Sequence, residues 1–350
     1  MSTSKRKPAA GNRRTTMNEI AAKAGVSLGT VSHVVNGTAT VREELRERVL
    51  ESIRELGYQP NQLSRGLRTN RTNIIGMIIP DITNPFFPAV VRGVEDVAYK
   101  NNFRLVLCNA DNDSTKESVY LRDLKSFLPA GILIIPANDS VIARTPGGPP
   151  IVCIDRRPHG WKGDFVSADN LEGARKAAEH LIRKGHRSFG VISGPQHISN
   201  ANDRLQGFLN GLKEAKVTLA PEYVQAASFD KATGHAAALR LLNLVPRPTA
   251  IFAANDLMAL GALAAIRESR LECPQDVSLV SFDGLELTEF SNPPLTAIYQ
   301  PGYQLGFTAA QLLLERISGT KKAAQQIVLG TELRVRDSVA TLGATALTHV

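Results

Sequence analysis

Residues 16–36 read TMNEIAAKAGVSLGTVSHVVN, and this stretch decides how the chain is organised. Thr16 and Glu19 stand three apart, the spacing of a capping box in which each side chain satisfies the other's backbone amide. Ile20, Ala21 and Ala24 supply a short apolar face, and Gly25 can close the helix in the left-handed conformation. Ser27 can cap a second helix, Leu28 to Asn36, with Val31, Val34 and Val35 on its buried side. Two short helices joined by a tight turn make a helix-turn-helix. A further cap, Thr40-x-x-Glu43, is expected to open a third helix, in which Leu45, Val49, Ile53 and Leu56 recur before Gly57. The bland alternative is a capped surface hairpin with no ligand.

A recognition helix turns its apolar side inward and enters the major groove by its first turn. That places Leu28, Gly29, Ser32 and His33 outward. His33 could donate to guanine N7 or O6, and Leu28 could press on a thymine methyl. Ser27, Ser32 and Asn36 are short polar groups suited to phosphates. Charge points the same way. Of the net +8, residues 1–71 hold +7, from 13 Lys or Arg against six Glu, while the remaining 279 residues hold +1. A basic head on a near-neutral body suits a chain whose head alone meets a polyanion.

The three cysteines, Cys108, Cys153 and Cys273, are far apart and unpaired in pattern, against a disulfide framework or zinc site and for a reducing cytoplasm. No apolar run reaches the roughly 20 residues that cross a bilayer. The N-terminus lacks the apolar core of a secretory signal and reads as a disordered basic tail. The body from Asn73 onward has no Walker A, GxGxxG, GxSxG or HExxH pattern, so no catalytic residue, metal or cofactor is expected.

The blocks AGVS, TVS, VVNG and LGYQPN, followed by NQLSRGLR, stand in register. Together they closely resemble the DNA-binding head of the lactose/galactose repressor (LacI/GalR) family. The resemblance implies that Asn61 to Arg68 form a hinge helix in the minor groove, with Leu67 wedged into the central base step and Ser64 beside it. Such a wedge kinks the duplex. Thr16, Met17, Asn18, Thr30, Thr40 and Tyr58 complete the expected DNA-facing set. His33 stands where Arg is common in the family, and Ser64 where Ala is common.

From Asn73 the pattern becomes short apolar strands alternating with amphipathic helices: NIIGMII, FRLVLC, GILII, PIVCI, SFGVI, AIFAA and VSLVSF, with helical stretches at 86–101, 169–184, 201–216, 231–244 and 255–270. This alternation argues for parallel sheets covered by helices, with ligands beyond the carboxyl ends of strands. His186 reads as a capping or packing residue, and Trp161 as a surface-loop residue or a lid.

The body also resembles the effector domain of the same family, built like type I periplasmic sugar-binding proteins, in the blocks PDITNPFF, VCIDRR, NDRLQGF, FAANDLMALGAL, VSLVSFDG and LTAIYQP. By that resemblance, Phe86 and Phe87 form an aromatic platform faced by Phe229. Asn84, Asp155, Arg156, Asn255, Asp283 and Gln300 fall where polar groups grip sugar hydroxyls. Asn202 stands where members often carry Arg, and Arg204 is either a ligand contact or a structural ion-pair residue.

The chain therefore reads as α/β: a basic tail (1–15), a helix-turn-helix (16–60), a hinge and linker (61–71), a two-lobed effector-binding and dimerisation domain (72–340) and a tail (341–350). The expected function is a cytoplasmic homodimeric regulator, a repressor by family default, that binds a pseudo-palindromic operator under control of a small molecule, expected to be a monosaccharide. The C-terminus, RVRDSVATLGATALTHV, lacks the leucine heptads of a four-chain bundle. The alternative is a sugar-binding receptor without a DNA role.

Overall fold

The computed structural model describes residues 15–36, 39–58, 72–137, 148–320 and 322–343. The chain divides into two compact units, Met1–Asn70 and Arg71–Val350.

The first unit holds α1 (Met17–Ala24), α2 (Leu28–Asn36) and α3 (Glu43–Glu55). The capping box at Thr16 is present: its N–H donates to Glu19 at 2.7 Å, and its hydroxyl accepts from the Glu19 N–H at 3.4 Å. Gly25 ends α1 at φ 63°, and the Ser27 hydroxyl accepts from the Thr30 N–H at 3.1 Å. Ile20, Ala24, Val31 and Val49 are the buried centre, with Met17, Val34, Val35, Ile53, Leu56 and Tyr58 packed around them. Arg48 of α3 donates to the Ala24 carbonyl and so locks the end of α1 against the third helix.

The third cap differs from expectation. Helix α3 starts two residues later than a Thr40 cap requires, with Arg42 in the capping position and no side chain bonded there. Glu43 and Glu44 occupy the first turn, where their charge complements the positive end of the helix dipole. Thr40 is exposed ahead of the helix, and Leu45 is half-buried. Gly57, at φ 58°, does close α3: the Tyr58 N–H returns to the Ile53 carbonyl at 3.1 Å.

The second unit contains two six-stranded sheets. The first comprises β1 (Ile74–Ile79), β2 (Arg104–Asn109), β3 (Gly131–Ile134), β4 (Ile151–Ile154), β5 (Asp164–Ala168) and β11 (Gln326–Leu329), in the order β11-β5-β4-β3-β1-β2 and wholly parallel. The second comprises β6 (Phe189–Ser193), β7 (Val224–Ala226), β8 (Ala250–Ala253), β9 (Ser278–Asp283), β10 (Thr296–Tyr299) and β12 (Glu332–Arg334), in the order β12-β10-β9-β8-β6-β7, with only β12 antiparallel. The central strands are buried along their whole length, as parallel strands covered on both faces must be.

Helices α4 (Phe86–Lys100), α5 (Ser114–Ser126) and α10 (Gly302–Ile317) pack on the first sheet; α6 (Asn170–Arg183), α7 (Ser199–Glu214), α8 (Lys231–Leu242) and α9 (Asp256–Glu268) pack on the second. The chain crosses between lobes at 168–170, 299–302 and 329–332.

Helix pairs meet backbone to backbone through glycine. A Cβ on Gly306 of α10 would lie 1.9 Å from the Val90 carbonyl oxygen of α4, and one on Gly93 would lie 2.1 Å from that of Tyr303. Backbone cannot rotate away as a side chain can. Gly306→Ala is therefore expected to lower unfolding free energy by about 1–3 kcal/mol through overpacking, read as a lower urea midpoint; an unchanged midpoint would contradict this contact.

Candidate functional site

The carboxyl ends of β1, β4, β8, β9 and β10 bring polar residues to one cleft between the lobes. The first lobe supplies Asn84, Phe86, Phe87, Asp155 and Arg156; the second supplies Asn200, Arg204, Phe229, Asn255 and Asp283; Gln300 sits at a crossing. They line a cleft that leaves only about 20 Å³ of free space between the side chains. Ten of the eleven residues expected from the sequence line it. Asn202 does not: it is exposed, and Asn200 takes a place in the wall instead.

Arg204 organises the second-lobe wall. Its guanidinium lies 3.9 Å over the Phe282 ring and donates to Asn170 Oδ1 at 2.8 Å and the Ala254 carbonyl at 2.7 Å. It also pairs with Asp283 at 3.2 Å, both side chains being buried. Asp283 Oδ1 accepts a second bond from Gln300 Nε2 at 2.6 Å. Burial pushes the Asp283 carboxyl up to about 6, as does the charge of Asp155, while Arg204 and Gln300 oppose the rise.

The first-lobe wall turns on Arg156, which donates to the carbonyls of Pro136 and Ala137 at 3.1 and 3.0 Å. Its guanidinium stands 5.6 Å from the Phe87 ring centre and 5.7 Å from that of Phe229, so it bridges aromatic rings of the two lobes. Burial lowers its pKa to about 10, which leaves it charged at neutral pH. Beyond it the cleft widens into an opening of about 360 Å³, whose walls include Asp81, Asn112, His197 and Asp230. Two hydrogen bonds join the lobes here: Asn200 Nδ2 to Asp155 Oδ2 at 2.8 Å, and the Arg157 N–H to Ser199 Oγ at 2.7 Å.

Backbone strain gathers in the same place. Asp155, Phe229 and Asp283 have φ of 62°, 62° and 106°. Each such residue costs on the order of 1–3 kcal/mol and persists only where its surroundings hold it. Asn255 does the holding at Phe229, donating from Nδ2 to its carbonyl at 3.0 Å while capping α9 through Oδ1. Gly194 leaves room for the ring: a Cβ there would lie 2.3 Å from Phe229.

Other expectations are placed away from the cavity. Trp161 packs on the first-lobe core, donates to the Asp164 carbonyl at 3.0 Å and does not line the cavity, so it is no lid. His186 is a buried packing residue, bonded to Thr249 Oγ1 at 3.0 Å and the Ala340 carbonyl at 3.2 Å, and burial lowers its pKa to about 4.

In the first unit, Leu28 is 48% exposed, and Thr16, Asn18, Ser27, Gly29, His33 and Thr40 are exposed. Met17, Thr30, Ser32 and Tyr58 are half-buried, Met17 and Tyr58 against the head core. The first turn of α2 thus presents an outward face. The Asn36 side chain and Asn61, Ser64 and Leu67 lie outside the described residues.

Residues 16–61 match the family described as bacterial regulatory proteins, lacI family, and residues 178–339 match the periplasmic binding protein-like domain. The HTH-type transcriptional repressor PurR of Aliivibrio salmonicida (strain LFI1238) is 34% identical over 328 residues, which is 93% of this chain and 98% of that protein. The chain belongs to the lacI family. It is accordingly a DNA-binding transcription regulator and not an enzyme. Two solved structures share the fold over almost the whole chain. The lac repressor dimer bound to operator and the anti-inducer ONPF has a TM-score of 0.83 and 25% identity, over 94% of this chain and all of that one. The transcriptional regulator CelR–cellobiose complex has 0.70 and 33%, over 93% of this chain and all of that one. Among the described residues no helix is long and apolar enough to cross a membrane, and no cluster of side chains could hold a metal ion.

Arg204 tests the architecture directly. Removing one partner of a buried pair strands the other charge, so Arg204→Ala should cost about 3–5 kcal/mol of stability in urea denaturation. A loss under about 1 kcal/mol, the range of an exposed pair, would show that the pair does not organise the wall.

Proposed function

We propose that this lacI-family regulator works in the cytoplasm as a homodimeric repressor, binding a pseudo-palindromic operator under control of a monosaccharide held in the cleft. The proposed parts are a head at 16–60, a hinge at 61–71 and an effector-binding and dimerising body at 72–340. Two copies of α2, one helical turn apart on the duplex, suit a two-fold operator.

One observation carries the effector reading. Four buried atoms of the cavity wall have no hydrogen-bond partner: Asp155 Oδ1, Asn200 Oδ1, Gln300 Oε1 and Arg156 Nε. Three accept and one donates. Buried polar atoms are seldom left unpaired, and hydroxyl groups on one small ring can satisfy both kinds. Charge adds to this: two carboxylates, Asp155 and Asp283, face two guanidiniums, Arg156 and Arg204. A neutral ligand keeps that balance, whereas a sugar phosphate adds uncompensated charge. Phe86, Phe87 and Phe229 offer apolar faces for the CH side of a sugar ring. A disaccharide is the second reading, favoured by the opening beyond Arg156 and by the cellobiose-bound relative.

A thermal-shift screen of pentoses, hexoses, disaccharides, sugar phosphates and nucleosides tests the ligand. A compound at a hundred times its Kd stabilises by about 2.7 kcal/mol. A neutral sugar should raise Tm in the native chain and not in Asp283→Asn; an equal rise in both would remove Asp283 from the site. Selection from random duplexes tests the head. His33→Ala should relax preference at one base position in each half-site, by about 1–3 kcal/mol. No enriched two-fold sequence with the native chain would count against operator recognition.

A further inference from the structure

Asp256 begins α9 immediately after the cavity residue Asn255, yet it stays out of the cavity lining and is 0% exposed. Its Oδ2 accepts from the Leu285 N–H at 2.6 Å. Its Oδ1 is buried beside the Ser281 hydroxyl, whose interaction with the carboxylate works against the rise in its pKa. Arg336, the cation whose charge reaches Asp256, is itself engaged by Glu289 and the Leu295 carbonyl. The buried carboxylates Asp155, Asp256 and Asp283 outnumber the buried guanidiniums Arg156 and Arg204, and Arg156 is also faced by Glu117 and Asp81. Negative charge is in excess, and a buried carboxylate with no cation of its own takes up a proton.

We propose that Asp256 holds this proton as a neutral acid behind the effector cavity, leaving Asp283 as the member of the pair that titrates, so that effector binding is proton-linked through Asp283. This rests on the reading that the cleft is the effector site. Asp283 is faced by Arg204 from α7, Asp155 beyond β4, Gln300 beyond β10 and the Asp256 backbone from α9. Asp256 is faced by Asp283 and Ser281 of β9 and by Arg336 from the C-terminal segment. Burial, then the charge of Asp283, pushes Asp256 well above the ordinary carboxylate range. Asp283 itself stands at about 6.

The sign follows from hydrogen-bond chemistry. An ionised Asp283, whose Oδ1 already serves Arg204 and Gln300, accepts from a ligand hydroxyl through Oδ2, and a protonated one has lost an acceptor. Affinity is full above the midpoint and falls as pH drops through it. A midpoint of about 6 gives a roughly fourfold loss between about pH 7.5 and about pH 5.5. Ligand binding in that window expels a proton.

The test is carbon-13 NMR of the full chain with labelled aspartate carboxyl groups, assigned with Asp283→Asn and Asp256→Asn, followed by calorimetry with D-ribose at both pH values. One carboxyl should titrate near pH 6, and a second should keep its protonated shift from about pH 5 to about pH 8. Both titrating below about pH 4.5, or Asp256 ionised at neutral pH, would overturn the shared proton. Ribose affinity independent of pH would overturn the linkage while leaving the cleft as its site. No ribose heat at either pH, with the carboxyls titrating as stated, would overturn the linkage together with the monosaccharide reading it rests on.

Discussion

The Arg204–Asp283 pair sets the terms for the rest of the cleft. A guanidinium and a carboxylate taken out of water are stable only if nearly every donor and acceptor is matched. Arg204 meets that demand by reaching the start of α6, the end of β8 and the end of β9 at once. Those contacts fix three separate chain segments relative to one helix. The strained backbone of Asp283 is held because its carboxylate is already committed to Arg204 and Gln300.

The fold explains why the charges gather there at all. Parallel strands send their connecting loops out at one end, and two parallel sheets with facing ends concentrate Asp, Asn and Gln in one place. The three crossings divide the chain between lobes, and hydrogen bonds across the cleft join its two walls. Asn200 to Asp155 and Arg157 to Ser199 are two of them. A ligand hydroxyl at the unpartnered Asp155 Oδ1 would share one carboxylate with the Asn200 bond to Oδ2, which would be a local route from cavity occupancy to lobe arrangement. Such a route changes DNA affinity only if the ligand prefers one arrangement.

Most of this was legible in the sequence because strong signals coincide. The capping box, Gly25 and the valine spacing of α2 fix the head, and strand-end polar residues mark the cleft. The misses have physical causes. Reading α7 from residue 201 left Asn200 outside the helix; it lies one turn before Arg204 and shares its face. Asn202 lies two residues from Arg204 and so projects to another side. Thr40 resembles a cap, but capping depends on where the backbone enters the helix, and that is set by packing of α3 against α1. The short edge strands β7, β11 and β12 carry too few buried residues to announce themselves. In the sequence Asp256 is one more polar residue at a strand end, since nothing there distinguishes a buried carboxylate from a wet one.

The central claim is that occupancy of the cleft governs grip on DNA. The most direct measurement is operator affinity by fluorescence anisotropy, at fixed salt, with the cavity empty and with it saturated by the sugar that binds it. Coupling of about 1–3 kcal/mol is typical of two linked sites. The account predicts a change in operator Kd of about 5- to 150-fold, in either direction. An operator Kd that stays the same while the cavity is demonstrably full would contradict it.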